Sequence, residues 1–111
     1  MNAALNYREF YQKTPITMYE NDRLAILNDK TYSDLVDTYT HWLIALEGNE
    51  ENEQTIKWRV FIFLTSENGP FNFKLPFFCS SFFRTFNEAY ELSQKMTVLA
   101  KQDQLHIIKH D

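Results

Sequence analysis

Cysteine, glycine and proline are all scarce, at one, two and three residues in a chain of 111. With Cys79 alone no internal disulfide can form, so a hydrophobic core must hold the fold, and a reducing compartment is expected. Gly48 and Gly69 are too few for a phosphate-cradling loop or a dinucleotide fingerprint, each of which needs several closely spaced glycines. Long apolar runs are missing as well. "VFIFL" and "WLIAL" reach five residues, whereas a membrane span needs about 20. The opening stretch "MNAALNYREFYQK" lacks the basic and apolar regions of a secretory signal. A cytoplasmic protein without membrane contact is therefore expected. Basic excess is also absent: 11 Lys and Arg stand against 15 Asp and Glu, for a net charge of −4. Phosphate neutralisation drives duplex binding, so this balance disfavours a duplex-binding role.

What is present is a folded-protein composition, 44% hydrophobic, without repeats, low-complexity tracts or linkers. A single domain over residues 1–111 is expected. Phe, Tyr, Met, Ile, Asn and Lys far outnumber Gly, Ala, Arg and Pro, the bias of AT-rich coding in many bacteria and phages.

The expected elements follow from period and punctuation. Asn6 and Glu9 have capping-box spacing, which suggests a short helix from Tyr7 to Lys13, stopped before Pro15. "RLAIL", Arg23–Leu27, is too short to assign to helix or strand. Leu35, Tyr39, Trp42, Leu43 and Leu46 recur at helical spacing, with Gly48-Asn49 as a stop, and predict a helix over 33–47. The glutamates of "EGNEENEQ" read as a solvated loop. Thr55–Leu64 alternates as a strand, "SENGP" is a turn, and Phe71–Phe78 is a second strand, giving a hairpin. Thr85 and Glu88 form a second capping box ahead of an Ala89, Leu92, Met96, Leu99 stripe, so a helix is expected over 86–102. Residues 104–109 are expected to close the chain as a strand. The class is α+β, an antiparallel sheet on a long hairpin packed with two main helices. If "RLAIL" is a strand, the order becomes the ferredoxin-like βαββαβ plan, against which Pro76 in a central strand argues.

Nine of the ten phenylalanines fall between Thr55 and Phe86, and pairing register decides how they face. Aligning Leu64 with Phe71, Ile62 with Phe73, Val60 with Leu75 and Trp58 with Phe77 makes one wholly apolar face. A shift by one residue would place Lys57 and Arg59 on it, which is costly without partners. The preferred register leaves Lys57, Arg59, Phe61, Phe63, Asn72, Lys74, Pro76 and Phe78 on the other face. Three rings among three cations make either a covered layer or a binding surface.

No catalytic, cofactor or metal set emerges. Ser33, Asp37 and His41 would share a helix stripe, but the aspartate stands between the other two, where a triad needs the histidine. Cys79 has no histidine near it in sequence and reads as a buried thiol. His106 and His110 lack the further ligands of a zinc site. The expectation is a non-enzymatic protein-binding module. One version is a stand-alone inhibitor of the immunity or anti-defence type that occludes a partner sterically. Contacts are expected at Arg59, Phe61, Phe63, Lys74 and Phe78, with Glu50, Glu51 and Glu53 as a second, acidic surface. The alternatives are a single-stranded nucleic-acid binder using the same hairpin face and a structural homodimer subunit.

Overall fold

The computed structural model describes residues 8–10, 15–52, 55–67 and 75–110. Its centre is a long antiparallel hairpin. Strand β3, His41–Asn52, pairs with β4, Thr55–Thr65. Two short strands, β1 (Arg8–Phe10) and β2 (Pro15–Thr17), lie one after the other along the free side of β3. Strand β5, Phe78–Cys79, borders β4. Helices α1 (Glu20–Leu27) and α2 (Phe86–Lys101) and two 3₁₀ turns, Ser33–Leu35 and Leu105–His110, complete the α+β architecture.

Alternation along the hairpin sorts the core. Trp42, Ile44 and Leu46 of β3 oppose Leu64, Ile62 and Val60 of β4, and all six are buried on the first face. Helix α2 packs there through Ala89, Ser93, Met96 and Ala100, with Leu92 and Leu99 at the margins. Small residues let the helix approach the sheet closely. Each buried Ile or Leu contributes roughly 1.5–3 kcal/mol. Helix α2 begins at Phe86 as expected and ends one residue short of the expected 102. The expected Thr85–Glu88 pair does cap it: Thr85 Oγ1 accepts from the Glu88 N–H at 3.2 Å and donates to Glu88 Oε1 at 3.0 Å.

Helix α2 ends in a Schellman turn. Asp103 N–H donates to Ala100 O at 3.2 Å and Gln104 N–H to Leu99 O at 2.8 Å. The left-handed residue is Asp103, at φ 61°, a position usually held by glycine. Its carboxylate supplies a reason for aspartate, because it accepts the Asn21 and Asp22 N–H groups, both at 2.8 Å. It thereby caps α1, whose own N-cap residue Tyr19 makes no side-chain bond. Asp22 returns the favour to the 105–110 turn. Fully buried, it accepts from Leu105 N–H at 3.3 Å, His106 N–H at 2.9 Å and the Trp42 indole N–H at 3.2 Å, and meets His106 Nδ1 at 2.5 Å. A carboxylate in this role only accepts, so Nδ1 carries the proton. The two aspartates thus cross-cap each other's segments and tie both to β3.

Several expectations are corrected. The helix over 33–47 is a 3₁₀ turn followed by β3. "WLIAL" is buried on both sides of a central strand, and a continuous apolar run matches a helical stripe by accident. Gly48 is therefore not a helix stop, and Glu47–Asn52 is strand instead of solvated loop. Arg23–Leu27 lies in α1. Residues 8–10 of the expected first helix are strand, because the edge of β3 offers them a ladder; residues 7 and 11–13 lie outside the described residues. The expected strand over 104–109 is the 105–110 turn, fixed by a carboxylate more than 80 positions away. The partner of β4 is β3. On the other side Phe61 opposes Cys79 and Ile62 opposes Phe78, so the alignment expected for 71–78 does not occur; residues 71–74 are not among those described.

Two predictions follow from this core. Asp22→Ala strands the Trp42, Leu105 and His106 donors, and urea unfolding should show a loss of about 3–5 kcal/mol; a loss below about 1 kcal/mol would contradict the cross-cap. Tyr32 is buried, and its O–H donates to Pro76 O at 2.8 Å. Burial, then the nearby Asp29 charge, raises its phenol above the ordinary 10.0. The unfolded chain therefore ionises first, so its contribution is intact below about pH 10 and is lost as pH climbs through the higher folded value. The difference in unfolding free energy between wild type and Tyr32→Phe should shrink only above about pH 10. A constant difference would contradict this.

Candidate functional site: an aromatic border at the sheet edge

The second face of the hairpin carries Leu43 and Ala45 opposite Phe63 and Phe61, a small core of its own. The two rings stack at 5.4 Å, with 12° between their planes. They are 4% and 0% exposed. Phe61 and Phe63 thus share a face with Arg59, as expected, but that face is covered instead of free.

Arg59 is also committed. Its Nε donates to Glu47 Oε1 at 2.6 Å, and Glu47 is fully buried beside it in register. The guanidinium lies 4.7 Å from the Phe61 centroid and 4.5 Å from that of Phe82. A buried carboxylate needs such a partner, and the flanking rings add cation–π attraction. A helix over 33–47 hides this cross-strand glutamate, which only the β3–β4 pairing brings to Arg59.

The remaining expected contacts are scattered. Phe78 is half-buried against the main core, on the opposite face to Arg59, because β5 pairs with the other parity. Lys74 and Glu53 lie outside the described residues. Glu50 is half-buried in β3 opposite Ile56, and Glu51 lies by the β-bulge there. Ser33, Asp37 and His41 do not share a helix; His41 opens β3, with Nδ1 2.8 Å from Thr40 Oγ1. Cys79 is exposed, not buried. His106 is held by Asp22, whose other bonds go to backbone and indole donors, so this pair reads as structural. Among the described residues no group of three or more His, Cys, Asp or Glu side chains is arranged to hold a metal, and no helix is long and apolar enough to cross a membrane.

What the fold does expose is a different set of rings. After β5 the chain bonds back to β4 through Trp58 and Phe83, with N···O distances of 2.9 and 2.6 Å. This bridge turns the 80–86 segment around the sheet edge. Phe82 then lies against Arg59 on the second face, and Phe86 against Trp58 on the first. Trp58 and Phe86 meet edge to face at 5.1 Å, and Phe86 stacks on Tyr90 at 5.8 Å. Phe82, Phe86 and Tyr90 are 44%, 39% and 44% exposed, and Ile56 is exposed nearby on β4. The capping box fixes where α2 begins, so residues 86 and 90 fall one turn apart on its outer side. That i, i+4 aromatic pair, off the Ala89–Met96 stripe, was the sequence signal for this surface.

Gly48 makes the arrangement possible. It opposes Trp58, and a Cβ there would stand 2.8 Å from the indole Cζ3. The ring lies over the glycine and is thereby aimed at Phe86.

No known family model matches the chain, and no curated protein and no solved structure matches it.

Gly48→Ala should push the indole off the strand. The expected result is a red-shifted tryptophan emission and a stability loss of about 1–3 kcal/mol. Unchanged emission and stability would show that the close approach does not govern the ring.

Proposed function

We propose that this chain is a non-enzymatic protein-binding module whose contact surface is the aromatic border Phe82–Phe86–Tyr90. The observation that carries this reading is three partly exposed rings held in fixed geometry by Trp58, Arg59 and the start of α2. Rigid aromatic and arginine side chains are the usual anchors of protein interfaces, since they bury much area at little entropic cost. The preferred version is a small inhibitor of the immunity or anti-defence type, acting by steric occlusion, with Arg59 at the rim of the contact. The single-stranded nucleic-acid reading is weaker, because Glu47 already answers the Arg59 charge and the chain as a whole is acidic.

The test is affinity capture from a lysate of the source organism, using wild type and a Phe82→Ala/Tyr90→Ala variant, with circular dichroism confirming the fold. A specific partner should be retained by wild type and lost, at least about tenfold, by the variant. Equal recovery by both would remove this surface from consideration. Salt-sensitive retention of oligo-dT would favour the nucleic-acid alternative, and sedimentation as a dimer that the variant abolishes would favour a homodimer.

A further inference from the structure

The border leaves another part of the surface unused. Met18 N–H donates to Thr40 O at 3.1 Å, which continues the β2–β3 ladder of Pro15 with Leu43, Ile16 with Trp42 and Thr17 with His41. In an antiparallel ladder, hydrogen-bonded and non-hydrogen-bonded pairs alternate. Residues 16 and 18 therefore turn their N–H and C=O groups towards β3. Thr17 turns both of its groups outward, and they have no partner among the described residues. Sheet edges of this kind are templates for another strand.

This edge also borders a groove. A cavity of about 630 Å³ separates β2 from α2, with Ile16, Thr17 and Tyr19 on one side and Gln94, Thr97 and Lys101 on the other. Among the described residues lining it, Lys101 alone is charged. It stands in the last turn of α2, and no carboxylate among the described residues forms an ion pair with it.

We propose that the β2–α2 groove binds an extended segment of a partner protein by strand addition. The segment pairs with the outward N–H and C=O of Thr17, lays alternate side chains between β2 and α2, and places an Asp or Glu carboxylate on Lys101. Main-chain pairing supplies affinity and the groove supplies side-chain selection, the mode of peptide recognition at exposed edges. The acidic preference follows from Lys101, which meets no carboxylate among the described residues. This surface shares helix α2 with the aromatic border but none of its residues, so the two readings stand or fall separately.

The test is selection of a phage-displayed random heptapeptide library against the full chain and two variants. Thr17→Pro deletes only an outward donor and leaves the β3 ladder intact, an edge position that proline tolerates. Lys101→Glu inverts the groove charge. Wild type should enrich peptides carrying an acidic residue. Thr17→Pro, shown to be folded by circular dichroism, should bind the enriched peptides about tenfold or more weakly. Lys101→Glu should instead enrich peptides carrying a basic residue. No enrichment on wild type, or equal binding by Thr17→Pro, would overturn the proposal. So would a concentration-dependent dimer abolished by Thr17→Pro, which would assign the edge to a second copy of this chain.

Discussion

One buried carboxylate holds the parts of this fold in register. Asp22 accepts from an indole on β3, from two amides of the 105–110 turn and from His106, and so joins three segments at one point. Isolated in an apolar interior, such a charge would be strongly destabilising. Here each of its lone pairs is met by a donor, and Asp103 answers for the amides at the start of α1. Neither the short helix α1 nor the 105–110 turn has the length or propensity to persist alone. Reciprocal capping gives each a terminus it does not supply for itself.

A second constraint works on the other half of the hairpin. Gly48 lets the Trp58 ring lie on the strand, and the buried Glu47 fixes Arg59 directly beside it. From those two neighbours the 80–86 segment takes its path, because Phe82 rests on Arg59 and Phe86 on Trp58. The exposed rings are consequences of that path. They face outward because the strand residues beneath them are already committed to one another.

How much of this could be read beforehand varied with the range of the cause. Helix α2 was legible because a capping box and a 3.6-residue stripe agree within about one turn. Strand β4 was legible from its alternation, and the α+β class from both. Strand β3 was not: buried on both sides, Trp42–Leu46 carries no period, and a helical match to Leu35 and Tyr39 was the stronger local pattern. The 105–110 turn was illegible for another reason, since Ile107 and Ile108 favour a strand locally while Asp22 imposes a turn from far along the chain. The site suffered in proportion. That aromatics and arginine would cluster near the hairpin was apparent, and Arg59, Phe61 and Phe63 do share a face. Which rings stay uncovered depended on a strand pairing that the misassigned 41–52 segment concealed.

The cross-capped aspartates belong to the cooperative core, and native-state hydrogen exchange measures this directly. The amides of Asn21, Asp22, Leu105 and His106 sit at segment ends, where fraying is usual. If the aspartates do belong to that core, these four amides open only with global unfolding, at the same free energy as the Leu43 and Phe63 amides that pair across the hairpin. Exchange of these four amides through local opening, several kcal/mol below the hairpin, would contradict it.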